Sequence, residues 1–173
     1  MIVGKNVILR PLTTDDNELI VKWRNDSSVK ENFVYRGELT IEKHLQYFQT
    51  QVLTGRVVQF IIVVKNGDIP IGSVYFRDVD SENKKAEFGI FIGEPSQRGK
   101  GYGKEAAQLI CSYGFEKLFL HKITLRVFPY NLSAIKSYES VGFRQEAYFK
   151  DDVLIDGKYE DMIYMSLFNN GKK

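Results

Sequence analysis

The segment Gln97-Arg98-Gly99-Lys100-Gly101-Tyr102-Gly103-Lys104 constrains this chain more than any other. It follows a strand-like run, Lys85–Ile92, and opens the clearest helical pattern, 101–118. In that pattern Ala106, Ala107, Ile110, Cys111, Gly114, Phe115 and Leu118 keep a helical period. Three alternating glycines let the backbone approach a ligand closely and turn its N–H groups toward one point. The helix start adds partial positive charge, and Arg98, Lys100 and Lys104 add full charges, so a phosphate is the expected ligand. In isolation the same loop serves equally well as a turn before a core helix, with its basic residues solvated.

The spacing excludes two common phosphate ligands. A Walker loop ending in Gly103-Lys104 needs glycine where Arg98 stands and Ser or Thr where Glu105 stands, which disfavours Mg-nucleotide chemistry. Gly101, Gly103 and Ala106 fit the dinucleotide form G-x-G-x-x-A, but about twenty residues on, 121–126 holds no acidic residue. The strands upstream also form a meander. Val57–Lys65 and Ile69–Asp78 flank Asn66-Gly67-Asp68, a strong hairpin signal, and 85–92 follows a polar turn. Along that third strand Ala86, Phe88, Ile90 and Ile92 share one face, and Glu87, Gly89 and Phe91 share the other.

Around this centre the chain reads as helices first, then strands, then alternating elements. Val7–Leu9 is a short strand, 16–25 a helix with Leu19, Ile20 and Trp23 on one face, and Thr40 the N-cap of a second helix. Lys122–Val127 is a buried strand, 131–141 a helix ended by Gly142, and Phe143–Lys150 and Tyr159–Leu167 are two last strands. This order predicts a mixed sheet covered by helices, class α+β. The 173 residues with no linker make residues 1–168 one domain, with 169–173 a loose tail. Basic and acidic residues number 24 and 22, a net +2, too little for a chain whose main partner is a nucleic acid. No apolar run approaches the ~18 residues of a membrane span, and Met1–Arg10 lacks the apolar core of a secretory signal. One cysteine, Cys111, excludes an internal disulfide and fits a cytoplasmic protein, and no metal-ligating cluster is visible.

Arg98-Gly99-Lys100-Gly101-Tyr102-Gly103 resembles the R/Q-x-x-G-x-G/A pyrophosphate loop of the GNAT acetyltransferases. Residues 131–143, from Asn131 through Ala134 and Tyr138 to Gly142-Phe143, resemble their N-x-x-A-x-x-x-Y-x-x-x-G-F segment. The opening Val7-Ile8-Leu9-Arg10-Pro11-Leu12 is similar to the RimJ/RimL-like branch. The resemblance implies a GNAT-like central mixed, mostly antiparallel sheet of about six to seven strands flanked by about four helices. It implies acetyl-CoA as cosubstrate, held by Arg98, Gly99, Lys100, Gly101, Tyr102, Gly103 and Lys104, by backbone near Phe91 and Ile92, and by Asn131 and Tyr138. Asn131 has a plain alternative as a helix cap.

Acetyl transfer to an amine needs a neutral nitrogen. A lysine-like amine of pKa about 10.4 is neutral roughly once in 2,500 molecules at pH 7, a handicap near ~4.6 kcal/mol. An α-amino group loses only about one unit. The departing thiolate needs a proton donor. By the resemblance that donor is Tyr138, with core packing as the alternative; Glu87, on the strand leading to the loop, is the candidate base, directly or through water, with a lysine pair as its alternative. Acceptor binding is expected from Trp23, Arg24, Tyr35 and His44. Trp-Arg-Asn followed by His44 and the aromatic Tyr47-Phe48 is similar to acetyltransferases acting on nucleotide-linked amino sugars, where Arg24 would meet a phosphate or carboxylate and aromatic residues would stack on a ring. Core packing for Trp23, solvation for Arg24 and a surface position for His44 are the alternatives. Asp151, Asp152, Asp156, Glu160 and Asp161 would instead attract a polyamine, and a protein N-terminus is equally open. Rival classes are a non-catalytic CoA-binding sensor and a nucleic-acid-binding domain built on Arg98, Lys100 and Lys104. Of assembly, the late strands leave room for a homodimer and say no more.

Overall fold

Alternation along the strands sorts the side chains onto the two faces of one sheet. In the computed structural model, which describes residues 1–169, eight strands are present. They are β1 (Ile2–Val3), β2 (Val7–Pro11), β3 (Val58–Val64), β4 (Ile69–Asp80), β5 (Lys85–Ile92), β6 (Lys122–Val127), β7 (Arg144–Ile155) and β8 (Lys158–Phe168). Their order is β1-β2-β3-β4-β5-β6-β8-β7, and every neighbour is antiparallel except β5–β6. Five helices cover the sheet: α1 (Asn17–Asn25), α2 (Ser27–Lys30), α3 (Ile41–Tyr47), α4 (Tyr102–Glu116) and α5 (Leu132–Val141). The fold is the expected mixed α+β type, with one strand and one helix more than read. The additions are the two-residue β1 and the four-residue α2, each shorter than any period needs to show itself.

One face packs against α4 and α5. There Ala86 and Phe88 of β5 join Ile110, Cys111, Ile123, Leu125 and Phe143, while Ile90, Ile92 and Tyr138 pack at the margin. The other face packs against α1 and α3, where Trp23, Val29, Phe48, Ile61, Val63 and Phe91 form a second cluster. Burying side chains of this size contributes about 1.5–3 kcal/mol each, so the alternation of β5 fixes which residues face which layer.

Capping sets the helix starts. Asp16 accepts the Thr13 N–H at 2.9 Å and takes both nitrogens of Arg10, at 2.8 and 2.6 Å, so the turn entering α1 is tied to β2. Thr40 accepts the Lys43 N–H as the N-cap of α3. Asn169, the first residue of the expected tail, donates its N–H to the His121 carbonyl at 2.9 Å, and residues 170–173 lie outside the described residues. Among the described residues no helix is long and apolar enough to cross a membrane.

Candidate active site

The one parallel pairing in the sheet is short. β5 and β6 match only at Lys85↔Lys122, Ala86↔Ile123 and Glu87↔Thr124. β4 stays with β5 as far as Ile92, and β8 stays with β6 as far as Val127. Beyond Glu87 the two central strands therefore part, and the β5 backbone from Phe88 to Ile92 loses its ladder partner on that side. A groove of about 1310 Å³ occupies the opening.

The glycine loop forms one end of the groove. Gly99 and Gly101 have φ of 74° and 83°, left-handed values that cost an L side chain about 1–2 kcal/mol. A Cβ on either would meet nothing within 4 Å, so the space beside the loop is open. Gly101 is the N-cap of α4 and offers no side chain to its amides. The first-turn N–H groups of Tyr102, Gly103 and Lys104 thus remain for a ligand. A diphosphate fits this cradle. Arg98 acts as a strut, its Nε donating to the Ile92 carbonyl at 3.1 Å and its Nη2 to Ser28 Oγ at 2.9 Å. Lys100 departs from expectation: it turns to Gln97 Oε1 at 3.1 Å and does not line the groove.

Tyr138 comes from the opposite wall. α5 starts at Asn131, whose Oδ1 accepts the Ala134 N–H at 3.2 Å, and ends at the left-handed Gly142. That register sets the Tyr138 ring in edge contact with Phe88 and Phe143, at 5.8 and 6.1 Å between centroids, and Tyr138 lines the groove. Burial pushes its phenol well above the ordinary range, so the hydroxyl holds its proton throughout physiological pH. Asn131 lines the groove, yet its Nδ2 already donates to Asn32 Oδ1 at 2.8 Å. Its capping role is the one these contacts display.

Glu87 sits where the strands divide. The β4–β5 register sets Arg77 opposite Glu87, and Arg126 lies two residues beyond its β6 partner Thr124. Both guanidinium groups converge on Glu87 Oε1, Arg126 Nε at 3.1 Å and Arg77 closer still. The partners are therefore arginines, where the alternative to a base role was a lysine pair. Burial pulls Arg126 down, but the charge and hydrogen bond of Glu87 outweigh it and leave the guanidinium raised. Oε1 is thus doubly engaged, and Glu87 itself lines the groove.

The remaining wall comes from α1, α3 and the segment between them. Arg24, Tyr35 and His44 line it, as expected. His44 is not at the surface: it is 3% exposed, with Nδ1 2.7 Å from Asn17 Oδ1 and its ring stacked on Tyr47. Trp23 stands apart from the groove. It is 1% exposed, packs edge-on to Phe91, and donates its indole N–H to Glu94 at 2.7 Å, so it belongs to the core. Of the acidic residues between 151 and 161, none lines the groove. Asp161 instead ties down its own hairpin by accepting the Asp151 N–H. Sequence reasoning missed Tyr75, Arg77 and Arg126, all in the groove lining, where Tyr47 also stands. The alternation of β4, continued past Ser73, would have put Tyr75 and Arg77 on the face shared by Glu87.

Residues 6–144 match a family described as an acetyltransferase (GNAT) domain. A spermidine N(1)-acetyltransferase of Vibrio cholerae serotype O1 is 33% identical, over 97% of this chain and 96% of that protein. An uncharacterised N-acetyltransferase, p20, of Bacillus licheniformis is 30% identical, over 94% and 93%. Among solved structures, a spermidine N-acetyltransferase from Vibrio cholerae in complex with CoA and spermine superposes with a TM-score of 0.88. It covers 95% of this chain and 96% of its own at 24% identity, a likeness of fold.

Proposed function

Since the chain belongs to the GNAT acetyltransferases and is an acetyl-CoA-dependent N-acetyltransferase, we propose that its cosubstrate occupies the gap between β5 and β6 and that acetyl passes directly to a primary amine in a ternary complex. The observation that carries this reading is the parting of the two strands beside a left-handed glycine loop. The amides of Gly99 to Lys104 take the pyrophosphate, with Arg98 bracing the loop and Lys104 adding charge. The β5 backbone near Phe91 and Ile92, which has no strand partner on the β6 side, hydrogen-bonds the pantetheine arm as an added strand would, beside the Ile92 carbonyl that Arg98 holds.

The residues then divide the work. As the amine nitrogen bonds to the thioester carbon, the C–S bond breaks, and Tyr138 gives its proton to the departing sulfur. The proton lost by the nitrogen passes to Glu87 through water, because Arg77 and Arg126 already hold Oε1 of this carboxylate. Asn131 caps α5 and so holds Tyr138 in place. The acceptor is a small-molecule amine; the relatives named for spermidine bring polyamines into the set to be tested. The opening strand Val7–Pro11 supports the RimJ/RimL-like branch, and with it a protein N-terminus as a further acceptor.

Replacing Tyr138 with Phe tests the roles. The Tyr138→Phe variant is expected to lose about a hundredfold in kcat while its acetyl-CoA Kd stays within about twofold. Unchanged turnover would remove Tyr138 from the chemistry.

A further inference from the structure

Arg24 presents a half-buried charge without a partner. Its guanidinium lies over the Phe33 ring, 3.3 Å from the centroid, and Phe33 in turn packs on Phe91 of β5. Its Nη1 is buried and makes no hydrogen bond, and among the described residues no carboxylate pairs with it. The groups nearest it in charge are the phenols of Tyr75, Tyr47 and Tyr35, all lining the same groove. A buried ion left this way is unfavourable unless something else supplies the counter-charge. Nearby, His44 Nε2 is a second buried polar atom without a partner, in a ring whose Nδ1 is already used by Asn17. With that Nδ1 donating, Nε2 is an acceptor.

The rest of this wall does not neutralise Arg24. Arg77 and Arg126 share the single carboxylate of Glu87. The other acids of the groove, Glu31 and Asp78, are exposed to solvent, Asp78 with 84% of its side chain open. A polyamine would bring further positive charge against three arginines. An acceptor that carries its own anion would satisfy Arg24, and one with a hydroxyl or N–H beside that anion would satisfy His44 as well.

We propose that the acceptor is an amine bearing a carboxylate or phosphate, that Arg24 seats this anionic group, and that His44 Nε2 accepts from an adjacent hydroxyl or N–H. This rests on the acetyltransferase reading and selects among its acceptors. The fork of a guanidinium accepts a carboxylate or a phosphate with two parallel hydrogen bonds, and the Phe33 ring behind it holds the fork flat.

The test compares three acceptor sets with acetyl-CoA and the full chain: spermidine and spermine, free amino acids, and hexosamine phosphates with amino-sugar nucleotides. Thiol release gives kcat/KM, and calorimetry on the CoA complex gives acceptor binding. The expected result is at least about a tenfold preference for one anionic set, which also tells carboxylate from phosphate. Arg24→Met, which keeps the stem on Phe33, should raise KM for that amine at least about tenfold and leave acetyl-CoA Kd unchanged. A preference for polyamines, or an Arg24→Met variant with the KM of the parent, would overturn the proposal. If acetyl-CoA binds but no amine releases thiol, the acetyltransferase reading fails on its own. Calorimetry then decides for Arg24: anionic-amine binding that Arg24→Met abolishes supports the seat, and its absence in the parent overturns it.

Discussion

Trp23, Arg24 and Asn25 follow one another on α1, and helix geometry turns each about 100° from the last. Trp23 therefore points into the core, Arg24 into the groove, and Asn25 toward the next segment, where it pairs with both backbone groups of Leu39 at 2.8 and 2.9 Å. Trp23 was expected in the groove because a core tryptophan and a ligand-stacking one look alike in a sequence; only the Glu94 acceptor for its N–H tells them apart. Glu87 carries a prediction at this scale. Glu87→Gln should lower kcat/KM by at least about tenfold and flatten the acid limb of its pH profile. A profile superimposable on the parent would exclude Glu87 as proton acceptor. Cys111 carries another. Burial pushes its thiol up to about 12, and the side chain is 3% exposed. The native protein should leave a thiol reagent at pH 8 unreacted, while the urea-unfolded chain consumes one equivalent per Cys111. Rapid native labelling would contradict the packing of α4.

Two elements depend on local devices that can be removed singly. The turn into α1 rests on Asp16, which is 4% exposed. Burial works against its charge, but the Arg10 guanidinium and the Thr13 N–H outweigh burial and hold its carboxyl below the usual range. A depressed folded-state pKa contributes stability that is present above the unfolded value, near ~3.9, and is lost as pH falls through the folded value. Asp16→Asn should thus cost about 1–3 kcal/mol near neutral pH, with the gap narrowing in denaturant melts as pH falls below the unfolded value of ~3.9. A gap independent of pH would mean that shape rather than charge holds the turn. The start of α4 rests on Gly101 in its left-handed conformation. Gly101→Ala should cost about 1–2 kcal/mol and weaken acetyl-CoA binding, since the loop amides can no longer converge. Elements of this kind were legible where a period or a cap repeats itself. β5 was read to the residue because each of its faces meets a different buried layer. β7 runs five residues past the expected Lys150, because as an exposed edge strand it shows almost no alternation. The face of Arg77 follows from the alternation of β4, but its place directly opposite Glu87 does not, since a register shift between Arg77 and Asp80 breaks any count back from the turn.

At the scale of the whole molecule, function follows from a pairing that stops. Had β5 and β6 stayed together along their length, the sheet would be closed and the glycine loop would face a finished edge. Instead β6 turns away with β8, and the gap exposes the β5 backbone between the loop on one side and Tyr138 on the other. The sequence motifs marked the loop and Tyr138 as parts of one site, because both belong to short, rule-bound turns of helix. It could not mark the gap itself, which depends on how far apart two strands of distant sequence end. Nor could composition show the charge of the site. A net +2 conceals Arg77 and Arg126 on the one carboxylate of Glu87 with Arg24 beside them in the groove, where the other acids, Glu31 and Asp78, are exposed, while the acidic residues of the β7–β8 hairpin lie elsewhere. The most direct measurement of the account is a product balance. Protein, acetyl-CoA labelled in its acetyl group and a panel of primary amines should yield free CoA thiol and labelled N-acetyl product in equal amounts, with neither formed when the amine is left out. Tight binding of acetyl-CoA with no thiol released against any amine would contradict it and make the groove a CoA-binding module without chemistry.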